Sequence, residues 1–127
     1  MKYLKNLPKT SVIVIFFNEY FSLIMRTIHS IYNRTPHELL HEVLLVNDGS
    51  TNKDLYEPLR KYVMENFDGR VKIVDLPNRK GLIVARMEGA RKATGEVLVF
   101  LDAHMEVNVN WLPPLLGKLL RHSPNTI

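Results

Sequence analysis

Residues 96–106 read Glu-Val-Leu-Val-Phe-Leu-Asp-Ala-His-Met-Glu. The apolar run at 97–101 predicts a short strand that is buried on both faces. Because side chains alternate along a strand, Asp102, His104 and Glu106 are expected on the same side. A carboxylate and an imidazole two residues apart can hold one divalent ion, and this ligand pair suits Mn²⁺ better than Ca²⁺. The stretch therefore predicts a metal site at a strand end; the structural alternative is a solvated Asp beside a loop His.

The same periodicities extend along the rest of the chain. β-Branched and aromatic runs predict strands, and apolar residues at helical spacing predict helices. The expected strands are 11–17, 42–47, 71–75 and 97–101; the expected helices are 20–33, 58–67, 82–93 and a last one capped by Asn110. Asn18 is the expected cap of the first helix. A β-α-β-α-β-α-β-α order with short links predicts an α/β fold, a mostly parallel sheet with helices on both faces.

Polar residues follow three of these strands directly. In a parallel sheet, ligands bind outside the carboxyl ends of the strands, where the strand order reverses. Asn18, Glu19, Asp48, Asp102 and His104 should therefore gather at one edge. For Asp48 two roles stay open: a turn or cap residue, or a carboxylate that accepts hydrogen bonds from a nucleobase N–H or a ribose hydroxyl.

Composition and missing motifs narrow the function classes. The chain has 127 residues, a net charge of +4 and no cysteine, so it is one domain at most and has no disulfide framework. No apolar run is long enough to cross a bilayer, and the scattered basic residues argue against nucleic acid. The glycine motifs of dinucleotide-binding and P-loop proteins and the elbow of serine hydrolases do not occur. A bound diphosphate would instead be neutralised by the metal with help from Arg79, Lys80 or Arg86, unless these form only a solvated basic surface.

Eight segments of the sequence carry a resemblance to a known family. The chain resembles the N-terminal half of the catalytic domain of polypeptide N-acetylgalactosaminyltransferases, a family with the GT-A fold, over nearly its whole length. The matching segments are Thr10-Ser11-Val12-Ile13-Val14, Phe16-Phe17-Asn18-Glu19, Arg26-Thr27-Ile28-His29-Ser30, Asn33-Arg34-Thr35-Pro36, Glu42-Val43-Leu44-Leu45-Val46-Asn47-Asp48, Arg79-Lys80-Gly81-Leu82-Ile83-Val84-Ala85-Arg86, Phe100-Leu101-Asp102-Ala103-His104 and Asn110-Trp111-Leu112-Pro113-Pro114-Leu115-Leu116.

The resemblance implies an activity and a set of site residues. The activity is retaining transfer of GalNAc from UDP-GalNAc to Ser or Thr of a polypeptide acceptor, with Mn²⁺ as cofactor. By position, Asp102 and His104 resemble the metal ligands, and Asp102 also belongs to the donor site. Asp48 resembles the uracil-binding Asp, and Arg79 and Arg86 fall in the donor-binding segment. No catalytic residue is assigned.

The chain departs from the family pattern at three positions and in its extent. Phe17 stands where the family usually has His, Asn47 replaces the first Asp of an Asp-Asp pair, and Met105 replaces a Cys. Residues 1–127 are expected to form a single partial domain that binds the donor and is inactive alone. The third metal ligand, the acceptor half, a lectin domain and the membrane anchor of a Golgi-luminal type II protein are expected outside it.

Two other functions remain open at this point. One is a related GT-A transferase that uses another UDP-sugar, since the acceptor half would decide the sugar. The other is a non-catalytic, nucleotide-binding fragment.

Overall fold

The computed structural model describes residues 8–67, 69–102 and 112. Strands and helices alternate along this part of the chain, which confirms the predicted α/β fold and most element boundaries within two residues. In chain order they are β1 (Thr10–Phe16), α1 (Phe21–Arg34), β2 (Leu40–Asn47), a short 3-10 helix (Lys53–Leu55), α2 (Glu57–Asn66), β3 (Val71–Asp75), α3 (Leu82–Lys92) and β4 (Val97–Asp102).

The four strands form one parallel sheet in the order β3-β2-β1-β4. The chain runs from β1 outward to β2 and β3, then crosses back to place β4 on the other side of β1. The strand order therefore reverses between β1 and β4. All four carboxyl ends lie at the same edge, which we call the carboxyl edge.

Helices pack on both faces of the sheet, as predicted. Alternate residues of β1 face opposite sides: Val12 and Val14 belong to the core under α1 and α2, whereas Ile13 belongs to the core under α3. All three are fully buried. Burying a side chain of this size contributes about 1.5–3 kcal/mol. The rest of the first core comprises Phe16, Ile24, Met25, Ile28, Ile31, Leu40, Val43, Leu45, Leu55, Leu59, Val63 and Val71.

Strand β4 was predicted to be buried on both faces, and this is wrong. On one side Val97 and Val99 pack against the buried pair Leu39 and Leu112. On the other side Leu98 and Phe100 remain 36% and 38% exposed. Helix α3 lies on that side, but its core contacts are with β1 and β2. An apolar run indicates that a strand is suited to burial. Whether the strand is in fact buried depends on where the neighbouring helix packs.

The predicted last helix falls almost entirely outside the described residues. Asn110, Pro113 and Pro114 lie outside them, whereas Leu112 has helical backbone and is fully buried. Among the helices that are described, none has the length and apolarity to cross a membrane.

A buried carboxylate joins β2 to the segment after α3. Glu42 is 1% exposed and accepts hydrogen bonds from the Ser11 hydroxyl at 2.7 Å, the backbone N–H of Thr94 at 2.7 Å and the Lys72 ammonium at 3.0 Å. Burial by itself raises the pKa of Glu42, but these donors outweigh it and hold the pKa below its ordinary value of 4.5. Glu42 is therefore an ionised, buried side chain that links β2 to β1, to β3 and to the segment after α3 by hydrogen bonds.

Candidate functional site

The carboxyl edge brings together three of the backbone positions that the sequence singles out, those of Asn18, Asp48 and Asp102. Asp102 is the last residue of β4 and pairs with Ile15 of β1, two residues before Phe17. Asp48 follows β2 directly, and its N–H donates to the carbonyl of Phe16 at 2.9 Å. The segments after β1 and β2 and the last residue of β4 therefore lie at the edge where the strand order reverses, which is the usual ligand position in such sheets.

Asn18 links the loops after β1 and β2 and does not cap a helix. Helix α1 is capped at Tyr20 without any side-chain bond, so the predicted capping role of Asn18 is wrong. Asn18 has a positive φ of 50°, and its side-chain oxygen accepts from the N–H groups of Thr51 at 2.8 Å and Asn52 at 3.1 Å. Its own N–H donates to the Ser50 hydroxyl at 2.9 Å. Asn tolerates this left-handed backbone better than most residues, which was the signal available in the sequence.

The turn after β2 is built by Asn47 and leaves Asp48 free for another role. Asn47 is fully buried, and its Oδ1 accepts from the N–H of Ser50 at 3.0 Å. Its Nδ2 donates to the carbonyl of Leu55 at 3.2 Å and to Oδ1 of Asp75 at 3.3 Å. An aspartate here could accept but not donate while ionised, so the departure from the family's Asp suits these two acceptors.

The carboxylate of Asp48 holds the loop that precedes α3. Its Oδ1 accepts from the N–H of Lys80 at 2.7 Å and its Oδ2 from the N–H of Gly81 at 3.1 Å. The residue is 4% exposed. Neither bond is the local turn that the sequence offered as one alternative, since both partners lie more than thirty residues away. The role in binding a nucleobase stays a prediction.

Gly49 brings the same loop into direct backbone contact. Its φ is +68°, and a Cβ added there would lie 2.3 Å from the backbone nitrogen of Arg79 and 2.4 Å from the carbonyl carbon of Asn78. Real side chains cannot approach so closely, so only glycine fits. Asp48 and Gly49 together fix the backbone of residues 78–81.

The two arginines predicted to bind the donor both lie against aromatic rings. The guanidinium carbon of Arg79 is 4.0 Å from the ring centroid of Phe17, and that of Arg86 is 5.8 Å from the ring centroid of Phe100. Attraction of a cation to a ring face falls away near 6 Å, so the first contact is the firmer one. Among the described residues, no carboxylate forms an ion pair with Arg79. Its positive charge is available to an anion.

The predicted metal ligands are described only in part. The backbone of Asp102 lies at the carboxyl edge beside β1, a position that suits a ligand of a metal bound there. Its side chain, and all of His104 and Glu106, lie outside the described residues. Within residues 8–67, 69–102 and 112, no group of three or more His, Cys, Asp or Glu side chains forms a metal site. The Asp102 and His104 metal site stays a prediction.

Comparison with known proteins agrees with this architecture. The family model described as glycosyl transferase family 2 matches residues 11–127. N-acetylgalactosaminyltransferase 7 of Drosophila melanogaster is 53% identical over 116 residues, which cover 91% of this chain and 20% of that protein. Human polypeptide N-acetylgalactosaminyltransferase 10 is 50% identical over 121 residues, which cover 95% of this chain and 20% of that protein.

A solved structure shares the fold. The structure of GalNAc-T7 with UDP, GalNAc and Mn²⁺ superposes with a TM-score of 0.87 at 45% identity, covering 91% of this chain and 21% of that one. The chain thus spans about a fifth of the length of the relatives it matches. By sequence and by fold, the chain belongs to glycosyl transferase family 2, and relatives at about half identity are polypeptide N-acetylgalactosaminyltransferases.

Proposed function

We propose that this chain is the donor-binding part of a UDP-GalNAc:polypeptide N-acetylgalactosaminyltransferase. The reaction would move GalNAc from UDP-GalNAc to Ser or Thr hydroxyls of proteins, with retention at the anomeric carbon and with Mn²⁺. The observation that carries the proposal is identity of 53% and 50% with enzymes of that name over more than nine-tenths of this chain. The similarity to a structure that holds UDP, GalNAc and Mn²⁺ supports the same donor and metal.

In this proposal Asp102 and His104 hold the Mn²⁺ ion. A bound divalent ion supplies Lewis-acid stabilisation of the charge that develops on the departing diphosphate. The place of Asp102 beside β1, at the point where the strand order reverses, supports this assignment. Arg79 and Arg86 would bind the diphosphate, because both are exposed cations that lie over rings near the carboxyl ends of β1 and β4, those of Phe17 and Phe100.

Asp48 is proposed to bind the uracil ring as well as the loop. Each carboxylate oxygen has two lone pairs, so the bonds from Lys80 and Gly81 leave acceptor capacity for the N3–H of uracil. Cytosine has no hydrogen at N3, so this role predicts that UDP binds more tightly than CDP.

The setting of the chain follows from the same proposal. Residues 1–127 would be the N-terminal part of a GT-A catalytic domain. The partners of the whole enzyme would be the UDP-sugar donor and a polypeptide acceptor, and not a nucleic acid. The whole protein would work in the Golgi lumen as a type II membrane protein. The 127-residue chain alone is expected to bind donor without transferring sugar.

A transferase for another UDP-sugar is the second candidate. Phe17 and Asn47, the two donor-side departures from the family pattern, motivate this candidate: Phe17 contacts Arg79 of the proposed donor site, and Asn47 directly precedes Asp48. Competition between UDP-GalNAc, UDP-GlcNAc and UDP-glucose for the same site separates the two candidates. A non-catalytic, nucleotide-binding role would show as equal affinity for all three.

Calorimetric titration of the 127-residue chain tests the proposal. UDP should bind more tightly with Mn²⁺ than without it, and more tightly than CDP. Asp102→Ala and His104→Ala should each remove the effect of Mn²⁺, whereas Glu65→Ala, an exposed carboxylate on α2, should keep it. Unchanged Mn²⁺-dependent affinity for UDP in both site variants would overturn the metal assignment.

A further inference from the structure

The contact between Phe17 and Arg79 joins a residue that is unusual for the family to a residue proposed to bind the donor. Phe17 is the first residue after β1 and is half-buried, and its ring lies 4.0 Å from the guanidinium carbon of Arg79. This contact is closer than that of Arg86 with Phe100, at 5.8 Å. The guanidinium carbon lies over the ring of Phe17.

The backbone of Arg79 is fixed independently of that ring. Gly49 leaves no room for a side chain against the backbone nitrogen of Arg79. Asp48 accepts hydrogen bonds from the next two N–H groups, those of Lys80 and Gly81. The side chain therefore starts from a defined point, and the ring of Phe17 limits the orientations of its far end.

Contact with one ring leaves most of the hydrogen-bonding capacity of arginine available. A guanidinium group has five N–H donors, and a single ring can engage only some of them. Arg79 is exposed and has no ion-pair partner among the described residues, so its donors point to no carboxylate there. Restricting the side chain in advance lowers the entropy lost when an anion binds.

We propose that Phe17 is a positioning residue that orients the Arg79 guanidinium to bind the diphosphate of a nucleotide-sugar donor. This inference rests on the proposed function. A phenyl ring carries no charge, so the orientation of Arg79 does not depend on pH through residue 17. Arg86, whose guanidinium carbon is 5.8 Å from the ring centroid of Phe100, lacks an equally close contact.

A double-mutant cycle on nucleotide affinity tests the inference. Phe17→Leu should weaken binding of Mn²⁺·UDP about two- to five-fold, the value of a cation–π contact at an exposed site. Arg79→Ala should weaken it about ten-fold or more, as for lost charge-assisted hydrogen bonds. Once Arg79 is replaced, Phe17→Leu should have no further effect. Phe17→Tyr, which keeps a ring, should retain the parent affinity.

The affinity for uridine separates positioning from a general structural role. Uridine has no phosphate, so its binding, followed by NMR titration, should be the same in the parent, Phe17→Leu and Arg79→Ala. Phe67→Leu, which removes a half-buried ring packed on His29 and Tyr32, controls for loss of an aromatic side chain and should leave UDP affinity unchanged. If Phe17→Leu does not fold, the cycle is run with Phe17→Met, which also lacks a ring, and with Arg79→Lys, which keeps the charge but not the planar group and should bind UDP less tightly.

The affinities distinguish failure of the proposed function from failure of the positioning role of Phe17. A folded parent that does not bind UDP with Mn²⁺ would overturn the proposed function and the inference with it. A parent that binds UDP, with Phe17→Leu equally harmful whether or not Arg79 is present, would overturn the inference alone. Equal weakening of uridine and UDP in Phe17→Leu would also overturn it.

Discussion

Asp48 and Lys80 are joined by a 2.7 Å hydrogen bond from the Lys80 backbone N–H to the Asp48 carboxylate, across 32 residues of sequence. The second carboxylate oxygen accepts from the N–H of Gly81. One buried side chain after β2 thus holds the loop that carries Arg79 to the carboxyl edge. Loop geometry and donor affinity should therefore depend on the same residue.

Replacement of Asp48 by Asn should loosen this loop. An amide matches the shape of the carboxylate but turns an NH₂ group toward one of the two backbone donors, which leaves a partly buried N–H without its acceptor. We expect a loss of about 1–3 kcal/mol in the free energy of unfolding, measured by urea denaturation. Asp54→Asn, an exposed Asp on the 3-10 helix, is the matched control and should change stability little. Equal stability of Asp48→Asn and the parent would show that the hydrogen bonds from Lys80 and Gly81 do not stabilise the loop.

Gly49→Ala should be more harmful than another glycine replacement at positive φ. Both Gly49 and Gly69 have positive φ, at +68° and +93°, so alanine is strained by about 1–2 kcal/mol at either position. Only at Gly49 does the new Cβ meet backbone atoms, whereas nothing lies within 4 Å at Gly69. The difference in urea midpoint between the two variants measures the close contact with Arg79. If both variants lost the same stability, the loop at residues 78–81 would be able to move away from a Cβ at position 49 at little cost.

Asn47→Asp, which restores the residue usual in the family, should destabilise this chain. The buried amide donates to the Leu55 carbonyl and to the Asp75 carboxylate, and a second carboxylate would repel both. We expect a loss of about 1–3 kcal/mol at neutral pH. Adding Asp75→Asn should recover part of it, because the new amide can donate to the carboxylate introduced at position 47. A double variant no more stable than Asn47→Asp would show that the Asp75 contact is not the cause.

The regular elements were predictable because their signals are local. Ile24, Ile28 and Ile31 recur at helical spacing in α1. The β-branched run of β1 strongly favours a buried strand. Parallel pairing and the gathering of polar residues at the carboxyl edge then followed from the alternation of strands and helices. These inferences need no knowledge of which side chains meet.

The partners of the edge residues could not be predicted, because they come from distant segments. Asp48 bonds to a loop 32 residues away, and Asn18 bonds to Thr51 and Asn52 across more than thirty residues. The exposure of Phe100 depends on where α3 sits, which strand periodicity does not fix. Sequence position indicates that such residues lie at an edge, whereas packing decides what each of them binds.

Glu42 should make stability fall at acid pH. Its pKa in the folded chain is lower than the ordinary value of 4.5, which we take for the unfolded chain. The folded state therefore binds the proton less readily, and the stabilisation is fully present above pH 4.5 and is lost as pH falls through the folded-state pKa. The donors responsible are the Thr94 N–H, the Ser11 hydroxyl and the Lys72 ammonium, the last of which is more than half exposed.

Glu42→Gln separates this carboxylate from the other acids of the chain. A neutral amide cannot titrate, so its urea midpoint should lie below that of the parent at pH 7 and should fall less between pH 7 and pH 4. Glu65→Gln, at an exposed position on α2, should follow the parent at both values. Glu42 accepts a hydrogen bond from Thr94, in the segment that leads from α3 into β4. The amides around Thr94 and Gly95 should therefore be the first to lose hydrogen-exchange protection in acid. Parallel pH curves for Glu42→Gln and the parent would show that this carboxylate does not control the acid transition.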